Sequence, residues 1–155
     1  MKKLNKKGMS LLEVMVVVLL IAGLAAMAYP SYLTSVEKGK ALEAIRIISN
    51  TVAAQQQYYE NNGSYATSFT DLDFDISGRN VNVSGAAATT DNFSYALGES
   101  SVSATHTSGS SYTYTISGNY TEDHILCTIG TDAKNDKKIC STLGKQNTDS
   151  IYIVE

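Results

Sequence analysis

The first third of the chain carries two successive hydrophobic patterns. From Val14 to Val36 every residue is apolar or uncharged. The 24 residues from Met9 to Tyr32 could cross a hydrocarbon layer of about 30 Å, because an α-helix rises about 1.5 Å per residue. This first pattern therefore predicts a helix of membrane-spanning length.

The second pattern has the period of an amphipathic helix. Large or apolar residues recur every three or four positions at Leu42, Ile45, Ile48, Val52, Gln55 and Tyr59. Asn61-Asn62-Gly63 marks the end, since glycine readily adopts the left-handed conformation that closes a helix. We predict one helix from Ser10 to about Glu60, roughly 75 Å long, with one side of its second half covered by a sheet.

The C-terminal half alternates between apolar and polar residues, as strands do. Small polar residues at 77–92 predict an exposed connection. The predicted strands form an antiparallel meander of about three or four, and the fold class is α+β, a long N-terminal helix packed on a small antiparallel β-sheet. The strand-like runs are Phe93 with Tyr95 and Leu97; Tyr112 with Tyr114 and Ile116; Ile125 to Ile129; an edge strand at Val102 and Ala104; and a closing strand at Ile151 to Val154.

The charge distribution adds an orientation. The net charge is −3, yet Lys2, Lys3, Lys6 and Lys7 supply four of the twelve basic residues; without them eight basic residues face fifteen acidic ones, a balance of −7. A basic cluster ahead of an apolar span keeps that end in the cytoplasm, so the residues after Val36 are expected outside it. The acidic remainder argues against bulk nucleic-acid binding but leaves room for a local basic patch.

Cys127 and Cys140 lie 13 positions apart in the part expected to be exported. An oxidising compartment would let them form a disulfide, which in the chain-entropy model contributes on the order of 3 kcal/mol. The alternative is a metal site completed by His124, but three ligands without a fourth make a poor structural zinc site. The disulfide is the favoured prediction.

The residues that could carry chemistry are few. The two histidines are expected to be structural, with His106 at the surface and His124 partly buried, and no catalytic or phosphate-binding motif is present in the sequence. Asp132 and Asp136 are expected to lie in a solvated loop. We predict no catalytic residue, no metal site and no cofactor.

The start of the apolar run carries the most specific signal. Basic residues precede Gly8, and Met9, Ser10, two leucines and Glu13 follow. An acid inside an apolar membrane segment costs roughly 2.5 to 3.5 kcal/mol at the helix centre, which marks it as a functional contact. A cut after Gly8 would leave a free amine on Met9, one helical turn from Glu13, and both could pair with a neighbouring copy of the helix.

This arrangement resembles the leader and N-terminal helix of type IV pilins and of the related type II secretion pseudopilins. Met9 departs from the phenylalanine most common there, although N-methylated methionine also occurs in the family. The run from Gln57 to Tyr65 is similar to the helix exit of these proteins. The resemblance implies the family's ladle-like fold, with a leader at 1–8, a helix at 9–62 whose 9–32 part lies in the membrane or filament core, and a globular domain at 63–155.

The resemblance also implies a function as a filament subunit. A prepilin peptidase would cleave between Gly8 and Met9 and methylate the new amine, and an inner-membrane platform and an ATPase would assemble copies into a helical homo-oligomer through Glu13. Gly23 and Pro30 would bound a stretch that loses helical structure on assembly, or merely a curve in a continuous helix. The subunit would be a single-pass inner-membrane protein before assembly and part of a surface pilus, serving adhesion or motility, or of a periplasmic pseudopilus afterwards.

Two alternatives stay open. One is a type II secretion pseudopilin, although the major pseudopilins generally lack a cysteine pair. The other is a secreted soluble binding domain, because Ala26-Met27-Ala28 resembles an ordinary signal-peptide cleavage site and would release a chain that starts at Tyr29. Glu13 within the apolar region and a helical pattern that continues past Pro30 count against secretion.

Overall fold

The computed structural model describes residues 10–76, 80–107, 111–122 and 124–154. Residues up to 36 and residues from 37 onward form two separate compact units. The fold is α+β, as predicted, and pilin-like, with a long N-terminal helix and an antiparallel sheet. Its elements are α1 (Leu11–Asn62), a 3-10 turn (Phe69–Asp71), β1 (Asn82–Ser84), β2 (Ala87–Thr89), β3 (Phe93–Leu97), β4 (Ser101–His106), β5 (Thr115–Asn119), β6 (Ile125–Thr128), α2 (Ala133–Leu143), β7 (Gly144–Thr148) and β8 (Ile151–Val154).

Helix α1 continues through Gly23 and Pro30 without a break in its assigned helical structure. It ends at Asn62, after which Gly63 adopts a φ of 71° and donates its backbone N–H to the carbonyl of Tyr59 at 2.8 Å. Glycine tolerates this left-handed conformation because it has no Cβ. The predicted end of the helix is therefore confirmed.

The face of α1 that packs on the sheet differs from the predicted stripe. Leu42 and Tyr59 were expected on it, but they are 52 % and 47 % exposed. Ile48 and Gln55 of the predicted stripe are buried, and Ile45 and Val52 are partly buried against the core. The buried residues follow a helical period: Glu37, Ala41, Ala44, Ile47, Ile48, Thr51 and Gln55.

Within the described residues the sheet has eight strands in the order β1-β2-β3-β4-β5-β6-β8-β7, and every pair is antiparallel. The expected three or four strands were too few. The first six strands form the predicted meander, while β8 enters between β6 and β7. The inward residues of the central strands, including Phe93, Tyr95, Val102 and Ile116, are fully buried against α1 and form the core.

Three local predictions were wrong, the first of them in part. Residues 77–79 of the predicted exposed connection lie outside the described residues. Residues 80–87 are exposed as expected, but β1 and β2 form a hairpin around Gly85, whose φ is 59°, instead of an irregular connection. The strand containing Val102 and Ala104 lies inside the sheet rather than at its edge, because β3 and β5 pair with its two sides. Tyr112 and Tyr114 precede β5 instead of belonging to it.

Candidate functional site at the N-terminal helix and its first buried acid

The apolar part of α1 keeps its large side chains exposed. Leu11 is 78 % exposed and Met27 is 81 % exposed. α1 is the one helix among the described residues that is long and apolar enough to cross a membrane, by length and composition alone. A core helix of a soluble protein can be as apolar, but the most apolar window of this helix has no buried residue. A signal sequence near the N-terminus meets the same criteria of length and composition.

Glu13 lies in the first turn of α1. The turn begins where the backbone N–H of Val14 donates to the carbonyl of Ser10 at 3.2 Å. Glu13 is the sole ionisable residue in the sequence from Ser10 to Val36 apart from tyrosines. A negative charge near a helix N-terminus is favourable because the backbone dipole is positive there.

The other predicted site residues are placed as follows. Gly8 and Met9, the predicted cleavage and methylation positions, lie outside the described residues. Gly23 and Pro30 lie within continuous helix. Cys127 and Cys140 are joined by a disulfide that links β6 to α2, so their sulfurs are not available as the thiolate ligands of a zinc site with His124.

Comparison with known proteins identifies the N-terminal segment. Residues 3–29 match the family model of the prokaryotic N-terminal methylation motif, which is the signal of type IV pilins. This match confirms the resemblance of the N-terminal segment to that of type IV pilins and pseudopilins. No curated protein matches the chain. The motif points to a structural subunit rather than an enzyme, made as a membrane-anchored precursor and processed by a prepilin peptidase for filament assembly.

A second polar cluster surrounds Glu37, the first residue of the C-terminal unit. Its side chain is 3 % exposed, and its Oε1 accepts a hydrogen bond from the Tyr114 hydroxyl at 2.9 Å and lies 2.5 Å from Nε2 of His106. Nζ of Lys40 lies 3.3 Å from Oε2. Helix α1, strand β4 and the segment before β5 thus meet at one carboxylate.

This environment sets the charge of Glu37. Burial by itself would raise the pKa of the carboxyl, but hydrogen bonds with His106 and Tyr114 and the charges of His106 and Lys40 outweigh burial, so the pKa of Glu37 is lowered. The pKa of Tyr114 is raised, first by burial and then by the negative charge of Glu37. The cluster therefore holds an ionised acid beside a neutral phenol.

The structure corrects the interpretation of both histidines. His106 was expected at the surface, but its side chain is 5 % exposed and its ring centroid lies 4.4 Å from that of Phe93. It shares the inward parity of Val102 and Ala104 on β4, so strand alternation could have revealed its burial. His124, expected to be partly buried, is exposed.

The two aspartates near α2 do not form a solvated loop. Asp132 is the N-cap of α2, and Asp136 is completely buried. Asp136 accepts hydrogen bonds from the backbone N–H of Thr113 at 2.9 Å, from the Thr113 hydroxyl at 2.7 Å and from the backbone N–H of Gly130 at 3.0 Å. Within the described ranges no three acidic, histidine or cysteine side chains are grouped as metal ligands would be.

Proposed function

We propose that this chain is a structural subunit of a type IV pilus-like filament, assembled from a single-span membrane precursor. Residues 1–8 act as the leader, 9–62 as the assembly helix and 63–155 as the globular domain. The observation that carries the proposal is one acid, Glu13, in the first turn of a helix with exposed apolar side chains, inside a matched methylation motif. Such a helix needs neighbours to cover its apolar surface.

Assembly is proposed to neutralise Glu13. Prepilin peptidase cuts between Gly8 and Met9 and methylates the amine of Met9. The Glu13 carboxylate of one copy then pairs with the Met9 amine of the next, so neither charge is left alone among apolar side chains. The same pair fixes the axial register of the helices, and the segment from Gly23 to Pro30 adjusts its helical structure during entry. An ATPase and an inner-membrane platform supply the energy and the site of extrusion.

Removing the charge of Glu13 tests this pairing. Glu13→Val should insert into the membrane at the wild-type level, because the helix becomes more apolar, but its incorporation into filaments should fall at least tenfold. The readout is the amount of subunit in membrane and sheared filament fractions. Glu13→Asp, which keeps the charge, serves as the control and should assemble better than Glu13→Val. Normal filament yield from Glu13→Val would contradict the pairing.

Mass spectrometry of the mature N-terminus separates the filament hypothesis from secretion. A chain that starts with N-methylated Met9 supports a filament subunit, whereas a chain that starts at Tyr29 supports a secreted domain. Gly8→Glu should leave the precursor uncleaved.

Electron microscopy of a deletion strain then distinguishes a surface pilus, whose fibres disappear, from a secretion pseudopilus. The disulfide between Cys127 and Cys140 favours the pilus, since major pseudopilins generally lack such a pair.

A further inference from the structure

One exposed face of α2 carries three positive charges. Lys134, Lys137 and Lys138 are exposed, and their spacing of three and four residues places them on the same side of the helix. We call these three residues the lysine face. The opposite side of α2 buries Ile139, Cys140 and Leu143. The lysine face is therefore held on a helix fixed by packing and by the disulfide.

The acids closest in sequence do not neutralise the lysine face. Asp136 points inward and its oxygens accept hydrogen bonds from Thr113 and Gly130. The side chain of Asp132 accepts hydrogen bonds from the backbone and side-chain amides of Asn135. Across the described part of the chain, no carboxylate lies within 4.0 Å of the three lysine amines.

A complementary negative patch lies where α1 ends. Asp71 and Asp73 line a hollow of about 140 Å³ together with Asn61 and Asn62 from the last turn of α1. That turn contains no basic residue, although a helix C-terminus carries partial negative charge and is stabilised by a cation. Among the residues that the structure describes, no lysine or arginine pairs with either aspartate. We call Asp71 and Asp73 the acidic patch.

The two patches lie at opposite edges of the sheet. Helix α2 packs on β6, β8 and β7 at one edge. The turn that contains Asp71 is attached to the other edge, where the backbone N–H of Phe69 donates to the carbonyl of Gly85 at 2.9 Å, between β1 and β2. Seven strand intervals of about 4.8 Å separate these edges by roughly 30 Å. This distance exceeds the screening length of about 8 Å in physiological salt, so the patches cannot compensate each other within one chain.

We propose that the lysine face of one copy docks on the acidic patch of the next copy. The contact joins two different surfaces of the same chain, and such heterologous contacts build open helical assemblies when the rotation between copies does not close a ring. The proposal rests on the proposed function as a filament subunit and names one contact between its globular domains. The hollow beside Asp71 and Asp73 has room for one long side chain, and the α1 terminus there gains the cation that it lacks.

Charge reversal in the full-length chain, expressed in its own host, tests the contact. The triple variant Lys134→Glu, Lys137→Glu and Lys138→Glu should lower filament yield at least tenfold, and so should the double variant Asp71→Lys and Asp73→Lys. Combining both sets restores opposite charges and should bring the yield back to within about threefold of wild type. The control, Glu99→Lys with Glu122→Lys, makes the same charge change as the double variant Asp71→Lys and Asp73→Lys, but at two other exposed acids. It should assemble normally.

Zero-length carbodiimide cross-linking gives a second, direct readout. The carbodiimide joins an amine to a carboxylate as an amide and takes up the water as a urea. Filaments grown from a mixture of isotopically light and heavy subunits should yield mixed-isotope peptides that join a lysine of the lysine face to Asp71 or Asp73. These cross-links should vanish in either reversed variant.

The outcomes separate the contact from the function. If the wild-type chain forms filaments and the reversed variants also give a normal yield, the contact is overturned and the filament function stands. The same holds if the variant that carries both sets of substitutions does not recover the yield. Recovery by the combined variant excludes misfolding of the single sets as the cause of their loss. Absence of filaments from the wild-type chain, with a mature N-terminus other than Met9, would overturn both.

Discussion

Glu37 is a buried acid whose polar neighbours come from three parts of the chain. His106 lies on β4, Tyr114 precedes β5, and Lys40 is one turn away on α1. A buried ion pair is often close to neutral in net stability, because desolvation offsets attraction. Removing Glu37 is different, since it leaves the His106 ring and the Tyr114 hydroxyl buried without this partner. The cluster therefore specifies how α1 sits on the sheet more than it adds stability.

We predict that Glu37→Ala lowers the free energy of unfolding by about 3 kcal/mol. The substitution removes the acceptor of the Tyr114 hydroxyl and the hydrogen-bond partner of the His106 ring, and both of these groups stay buried. Chemical unfolding of the detergent-solubilised chain measures the loss. Glu43 is the matched control on the same helix; it is partly exposed and accepts one hydrogen bond from Asn92, so Glu43→Ala should lose less than about 1 kcal/mol. Equal losses would contradict a specific role for Glu37.

The same acid has a defined pH dependence. The pKa of Glu37 is lowered in the folded state, so its ionisation contributes stability at pH values above the ordinary 4.5, and this contribution is lost as the pH falls through the lowered pKa. The difference in stability between wild type and Glu37→Gln should therefore be present at neutral pH and shrink under acid conditions. A difference independent of pH would indicate packing rather than ionisation.

At the scale of elements, helix α1 and strand β5 approach each other closely at Gly118. A Cβ at this position would lie 2.7 Å from Cγ2 of Ile48 and 2.9 Å from Cγ2 of Val52, which is closer than van der Waals contact. Glycine is therefore required by the packing of helix on sheet, and its φ lies outside the left-handed region.

We predict that Gly118→Ala lowers the free energy of unfolding by about 1 to 3 kcal/mol, because the methyl group overpacks the interface between α1 and β5. Thermal unfolding of the full-length chain in detergent provides the measurement. Gly39→Ala is the control, since nothing lies within 4 Å of the position that its methyl group would take on α1 and alanine favours helix by about 1 kcal/mol. Gly118→Ala as stable as wild type would show that the interface can open without cost.

Some of the helices and strands could be predicted from the sequence and others could not. Helix α1 carries strong periodic signals, so its extent follows from the sequence, whereas its buried face depends on where the sheet allows close approach. Helix α2 was missed because its charged residues suggested a solvated loop, although Asp136, Ile139, Cys140 and Leu143 have helical spacing. β1 and β2 have little alternation in residue type; they form because the open edge of β3 supplies backbone hydrogen-bond partners.

The candidate sites differ in the same way. Glu13 is recognisable as a candidate from the sequence alone, because it is a lone acid among apolar residues; its role in assembly stays a prediction. The environments of Glu37, His106 and Asp136 could not be predicted, since each has a hydrogen-bond partner that lies between 23 and 77 positions away in sequence. Parity on β4 indicates that His106 faces inward, but not which carboxylate it meets. Long-range polar pairing thus emerges only when the sheet order is known.

At the scale of the whole molecule, buried tyrosines make the globular part sensitive to alkali. Tyr95, Tyr114 and Tyr120 are almost completely buried. Burial is the main reason that their pKa values are raised, to about 12 for Tyr120 and also upward for Tyr95 and Tyr114. The three phenols thus keep their protons in the folded chain at pH values where an unfolded chain, with a tyrosine pKa of about 10, releases them.

We predict that the free energy of unfolding falls as the pH rises above about 10, by roughly 1.4 kcal/mol per pH unit for each phenol that ionises only on unfolding. The sign follows because the unfolded state binds fewer protons than the folded state in this range. Denaturant titrations between pH values of about 8 and about 12, with phenolate absorbance recorded in parallel, measure both quantities. Tyr95→Phe removes one of these phenols, so it should reduce the slope of the free energy of unfolding against pH by roughly 1.4 kcal/mol per pH unit. If that variant keeps the wild-type slope, Tyr95 does not resist ionisation in the fold, and the alkaline sensitivity arises from other groups.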